Sequence, residues 1–289
     1  MFGMRSDGKS FGSGVDAITR VTPYIMTERN DASNLNTVYL DVAPITDYVR
    51  EKRAEGRKMS TMAVIIAGYV RMIAAMPELN RFVVNRKLYA RKYLSVSFVV
   101  INKAGVDNFE ETNVKIKFRP TDTIFEIAEK VEAAIEKNQL STSDNATTQL
   151  VNKLVGLPGL LSLGVLFLKW LDKVGLLPKA IIEASPFHTS CFITNMASVR
   201  IGKLYHHLYN FGTTSQFLGI GEKERQVYVD RDGSVKVRYV YPIGVVTDER
   251  VAAGSFYALG FRTFKRCMQN PRIMETPPEN VRWDCGVTY

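Results

Sequence analysis

Histidine and cysteine are scarce in this chain, with three of each in 289 residues. Cys191, Cys267 and Cys285 are odd in number, widely spaced and form no Cys-x-x-Cys pair, which excludes a disulfide framework and points to a reducing compartment. No set of histidines stands at ligand spacing, so no metal site is expected. A glycine-rich phosphate loop, an internal repeat and any RNA- or DNA-binding motif are also missing, and nucleic acid is not an expected partner. The Gly/Ser-rich start, Met1 to Gly14, lacks the apolar centre of a secretory signal. Residues 1–22 are therefore expected to be a flexible lead, and the protein to be cytoplasmic. Long hydrophobic runs are short too: the apolar stretch Leu154 to Leu168, which carries no charge, falls below the ~18 residues of a membrane span.

What is present suits a globular α/β protein. The composition is 46% hydrophobic and 10% aromatic, enough for a sizeable core, and the net charge of +9 suits an anionic partner such as a coenzyme A phosphate or a lipid head group. Asn36 to Val42 alternates as a strand does, and Pro44 to Glu55 reads as a charged surface helix stopped by Gly56. Met62 to Met76 is apolar nearly all round, is capped by Ser60 or Thr61 and ends at Pro77, as a buried helix would. Tyr93 to Ile101 and Asn113 to Phe118 read as paired strands. Thr123 and Glu126 form a capping box opening a helix along Ile124, Ala128, Val131 and Ile135. Gln226 to Val240 reads as a hairpin turning at Asp232-Gly233. Phe256, Leu259, Gly260, Phe264 and Cys267 mark one face of a helix that ends at Asn270-Pro271.

Two stretches stand apart. Residues 150–178 form an apolar insertion with Trp170 and flanking lysines, which leaves two roles open. One is a helical hairpin packed on a neighbouring subunit or over a pocket mouth; the other is contact with a membrane surface through residues 154–173. The second stretch is Asp248-Glu249-Arg250-Val251-Ala252-Ala253-Gly254, a strand end running into a small-residue turn before a helix.

This second stretch resembles the Asp-His-Arg-Val-x-Asp/Asn-Gly motif of the 2-oxoacid dehydrogenase acyltransferases (dihydrolipoamide acyltransferases) and their chloramphenicol acetyltransferase relatives. Further landmarks agree in order between about Pro23 and Pro271. Pro77-Glu78-Leu79-Asn80 matches the family's Pro-x-Leu-Asn turn. Ser190 to Ala197 resembles its Phe-Thr-Ile-Ser-Asn-Leu-Gly strand end, and Tyr205 to Gly221 corresponds to a loop and strand ending in Leu-Gly-x-Gly. The resemblance implies a two-layer α/β sandwich with a mixed sheet over residues 23–289, assembled as a homotrimer, with a coenzyme A thioester as substrate and no bound cofactor. It covers the catalytic domain only, with no lipoyl-type Asp-Lys-Ala site.

The same resemblance assigns the site residues. Thr194 falls on the serine whose hydroxyl donates to the oxyanion, and Glu249 stands where the general-base histidine belongs. Asp248, Arg250 and Gly254 keep the motif's frame, while Ala253 replaces its Asp/Asn. A carboxylate has an ordinary pKa near ~4.3 and is a poorly matched base unless burial raises it. His206 and His207, beside the family's loop, are the residues able to substitute. Two functions follow: a stand-alone acyltransferase with an altered site, or a non-catalytic scaffold of the same fold.

Overall fold

A computed structural model describes residues 5–12, 14–103, 109–139 and 159–289. Its main sheet has seven strands, with β2 (Ser33–Asp41), β10 (Val235–Asp248), β8 (Gln216–Ile220), β7 (Cys191–Asn195), β5 (Leu94–Lys103) and β6 (Phe109–Phe118) in that spatial order. The seventh, β9 (Glu224–Val229), pairs with the first half of β10. The sheet is mixed as expected: β5, β7 and β8 run parallel, and the other pairings are antiparallel. A small sheet of β1 (Gly8–Ser10), β4 (Lys87–Arg91) and β3 (Arg81–Val84) lies apart from it.

Helices α3 (Thr61–Ala75), α4 (Ile124–Gln139) and α7 (Gly254–Gln269) form the second layer. Every residue of α3 from Ala63 to Ala74 is buried, which explains its apolar circumference. The Ser60 hydroxyl caps it by accepting from the Ala63 N–H at 3.3 Å. In α4, the Thr123 N–H donates to the Glu126 carboxylate at 2.7 Å, and the Glu126 N–H donates back to the Thr123 hydroxyl at 3.3 Å, closing the expected capping box. Gly233 takes φ of 81° in the turn between β9 and β10, where a β-carbon would be strained.

Three boundaries differ from expectation. The helix after β2, α2 (Val42–Ala54), begins at Val42, the residue expected to end the strand. The face of α7 that meets the core carries Tyr257, Gly260, Phe261, Phe264, Cys267 and Met268, while Phe256 and Leu259 are exposed. Taking Phe256 as the first apolar position rotates the predicted stripe by one residue. The lead expected to be flexible contains β1, which pairs with β4, and helix α1 (Ala17–Ile25); the buried Arg5 ties its start to Asp172 by an ion pair at 2.7 Å.

The apolar insertion is helical over α5 (Leu160–Val174), followed by the short α6 (Lys179–Ala184). The first arm of the expected hairpin and the polar Ser141–Thr148 run lie outside the described residues. Among the described residues, no helix is long and apolar enough to cross a membrane.

Candidate active site

The turn after β10 is built around a buried carboxylate. Asp248 is fully buried, and Arg250 grips it with Nε to Oδ1 and Nη2 to Oδ2, each at 2.8 Å. The Arg250 N–H also donates to Oδ1, and the Tyr257 hydroxyl donates to the Asp248 carbonyl at 3.1 Å. A second arginine, Arg29, brings its Nε to 3.5 Å from Oδ2. Burial pulls the Arg29 pKa down to about 10 against the opposing pull of Asp248. Arg29 also donates to the carbonyls of Tyr209 at 2.7 Å and Val83 at 3.0 Å, so it joins this turn to the 205–210 loop.

The frame holds Glu249 outward. Its N–H donates to the Ala32 carbonyl at 2.9 Å, its side chain is exposed, and its carboxylate has no hydrogen bond or ion pair among the described residues. Ala253 is the N-cap residue of α7, with φ of −66° and ψ of 154° and no side-chain cap. An Asp or Asn here would accept from the helix's free N–H groups; a methyl cannot.

Thr194, near the end of β7, lines a cleft of ≈ 540 Å³ together with Phe192, Phe217, Val99, His206 and Tyr209. The volume lies within the range of about 300–1,000 Å³ typical of ligand sites. Among the described residues, the Thr194 hydroxyl donates to the Met196 thioether at 3.3 Å, a weak acceptor, and so remains available to a stronger one.

Within one chain, Thr194 and Glu249 are not brought together. Thr194 is in register with Gly219 on β8, and Gly219 with Gly244 on β10, five residues before Glu249. At ~3.3 Å per residue, that offset alone is about 17 Å along the strand.

The structure instead places His206 in the Thr194 cleft. Its ring stacks on Phe217 at 4.2 Å, and its Nδ1 lies 2.8 Å from the His207 carbonyl. A carbonyl can only accept, so Nδ1 carries the proton there and a neutral ring leaves the Nε2 lone pair free. His207 is exposed and stacks on His206 at 4.5 Å.

Local sequence gave no sign of Arg29's role, because its partners lie far along the chain and no spacing marks them. The same holds for a second buried cluster. Arg5 donates to Asp172 Oδ1 at 2.7 Å, and the fully buried His188 places Nε2 at 3.3 Å from the same oxygen. Burial pushes the Asp172 carboxyl up, but the His188 ring and the Arg5 charge outweigh it and hold the pKa at about 2. Cys191 is buried on β7, and burial raises its thiol pKa well above the usual range, as suits an inert packing residue. Among the described residues, no group of three or more His, Cys, Asp or Glu could hold a metal.

This architecture is the chloramphenicol acetyltransferase-like fold. A probable dihydrolipoamide acetyltransferase from Listeria monocytogenes superposes with a TM-score of 0.56 at 14% identity, covering 88% of this chain and 92% of that one. The dihydrolipoamide acetyltransferase of Azotobacter vinelandii, in which a serine, a histidine and an asparagine were investigated for their roles in the catalytic mechanism, gives 0.57 at 13% identity over 90% and 93%. A chloramphenicol acetyltransferase gives 0.55 at 10% identity over 90% and 99%. No protein-family model and no curated protein matches the sequence.

Proposed function

We propose that this protein is a homotrimeric acyltransferase-like enzyme that takes a coenzyme A thioester, with Thr194 and Glu249 meeting across a protomer boundary. The observation that carries this reading is their register. A buried cage presents Glu249 at a strand end about 17 Å along β10 from the Thr194 cleft, so it does not reach its own chain's cleft, which supports a reading in which it serves the cleft of another copy. The acyltransferase cores of the same fold, and the motif frame kept around position 249, support the choice of chemistry.

The hairpin of β9 and β10 supports self-association. Val227, Val229, Val235 and Tyr239 are each more than half exposed on it, an apolar strip that a neighbouring protomer would cover.

In the proposed reaction, a thiol, hydroxyl or amine acceptor gives its proton to the Glu249 carboxylate and attacks the thioester carbonyl carbon. The Thr194 hydroxyl donates to the oxyanion. Collapse breaks the carbon–sulfur bond, and the departing thiolate takes the proton from Glu249, leaving coenzyme A and the acylated acceptor.

His206 supports a second reading, since it shares the cleft with Thr194 and has a free Nε2 lone pair. The two separate by mutation. Coenzyme A at ~100 times its Kd should stabilise the fold by about 2.7 kcal/mol, seen as a rise in the melting midpoint. Coenzyme A release in the presence of acyl donors and small acceptors should then fall about 10²- to 10⁴-fold in Glu249→Gln and change little in His206→Asn. The reverse pattern selects His206 as base. No shift and no turnover would mean a non-catalytic scaffold.

A further inference from the structure

Helix α5 leaves an apolar stripe uncovered. Leu163, Leu166, Phe167 and Trp170 follow i, i+3, i+4, i+7 spacing and are 64%, 60%, 57% and 52% exposed. They therefore share one face, directed away from the body. Phe167 and Trp170 stack at 6.1 Å, and a side chain added at Gly164 would meet nothing within 4 Å.

Within α5 the outward charges have one sign. Lys169 and Lys173 are exposed, and the single acid of the helix, Asp172, is buried and paired with Arg5; beyond the helix, Lys179 pairs with the exposed Glu183 at 4.0 Å. That ion pair of Asp172 faces the protein, pins the helix to the small-sheet side and removes the helix's own negative charge, which would oppose an anionic surface. The overall charge of +9 works in the same direction. The helix is too short to span a bilayer but has the features of one lying in its surface: leucines and aromatics on one face, a tryptophan at the interface and lysines beside it.

We infer that α5 is an interfacial anchor that seats Leu163, Leu166, Phe167 and Trp170 in one leaflet of an anionic bilayer, with Lys169 and Lys173 against the head groups. The protein would then work at a membrane surface, within reach of acceptors or donors held in the bilayer.

The test is co-sedimentation of the intact protein with vesicles of phosphatidylcholine alone or with about 30% phosphatidylserine. Trp283→Phe serves as background so that Trp170 reports by fluorescence. The expected result is binding to the anionic vesicles, with a blue-shifted Trp170 emission quenched by brominated lipid. Leu166→Glu/Phe167→Glu should abolish it at unchanged melting midpoint, since both side chains are exposed. Lys169→Gln/Lys173→Gln should weaken it about fivefold per lysine and remove the preference for anionic lipid. Failure of the wild type to bind either vesicle, or absence of quenching in bound protein, overturns the proposal. So does a double-glutamate variant that still binds, or one whose only change is in oligomeric mass, which would mean that the stripe packs on another copy.

Discussion

The Leu204 carbonyl rests directly on Gly244. A methyl group on that glycine would overlap the carbonyl oxygen, and one on its neighbour across the sheet, Gly219, would lie 2.6 Å from it. Two glycines side by side thus let the segment carrying Tyr205 and His206 lie flat on the strands and close the Thr194 cleft. Gly244→Ala should lift that segment and cost about 1–3 kcal/mol, read as a lower denaturant midpoint, with a smaller stabilisation by coenzyme A. Gly254→Ala is the control: nothing lies within 4 Å of a β-carbon there, and the change at the first helical position should be neutral or favourable by up to about 1 kcal/mol.

The layers were legible in the sequence where periodicity is strong. The wholly apolar α3, the Thr123–Glu126 capping box and the Asp232-Gly233 hairpin are local patterns with local causes, and all three are found. What escaped was long-range or directional. Residues 1–22 read as a lead because Met1 to Gly14 is rich in glycine and serine, but Arg5 pairs with Asp172, a partner no spacing connects to it. On α7 a one-residue error in phase put Phe256 and Leu259 inside, because aromatic and aliphatic residues occupy both faces. At the candidate site, the motif marked Asp248 to Gly254, but it could not say that Asp248 is held by two arginines or that Glu249 is exposed and far along the strand from its own chain's cleft.

Ala253 leaves the first turn of α7 without a side-chain cap. Its backbone already has the extended φ and ψ of an N-cap residue, so Ala253→Asp or Ala253→Asn should fit without rearrangement. A stabilisation of about 0.5–2 kcal/mol is expected, measured as a raised midpoint in urea. No gain would mean that the helix's free N–H groups are satisfied by other means in solution.

Acid should weaken the fold in two steps. Burial lowers the His188 pKa below its ordinary 6.5, against the pull of Asp172. The unfolded chain then binds more protons than the folded one as pH falls through 6.5, and stability declines. Asp172 acts in the same direction lower down: its pKa drops from 3.8 to about 2 on folding, so the stability it contributes is complete above about pH 5 and lost between about 4 and 2. Melting midpoints across this range should show both declines. Asp172→Asn should remove the lower one, at the cost of leaving Asp7 as the one carboxylate paired with Arg5.

Asp248 and Glu249 are adjacent, yet their substitutions should separate stability from chemistry. Asp248 is buried between Arg250 and Arg29, and its removal would leave two guanidinium groups without their shared partner. Asp248→Ala should therefore cost about 3–5 kcal/mol, and any loss of activity would follow loss of fold. Glu249 is exposed and its side chain makes no polar contact among the described residues, so Glu249→Gln in the single chain should change stability by less than about 0.5 kcal/mol. If Glu249 reaches a neighbouring cleft, the same substitution stops acyl transfer while the melting midpoint and oligomeric mass stay unchanged. Full turnover in a stable Glu249→Gln protein would remove the carboxylate from the mechanism and leave His206 as the base to examine.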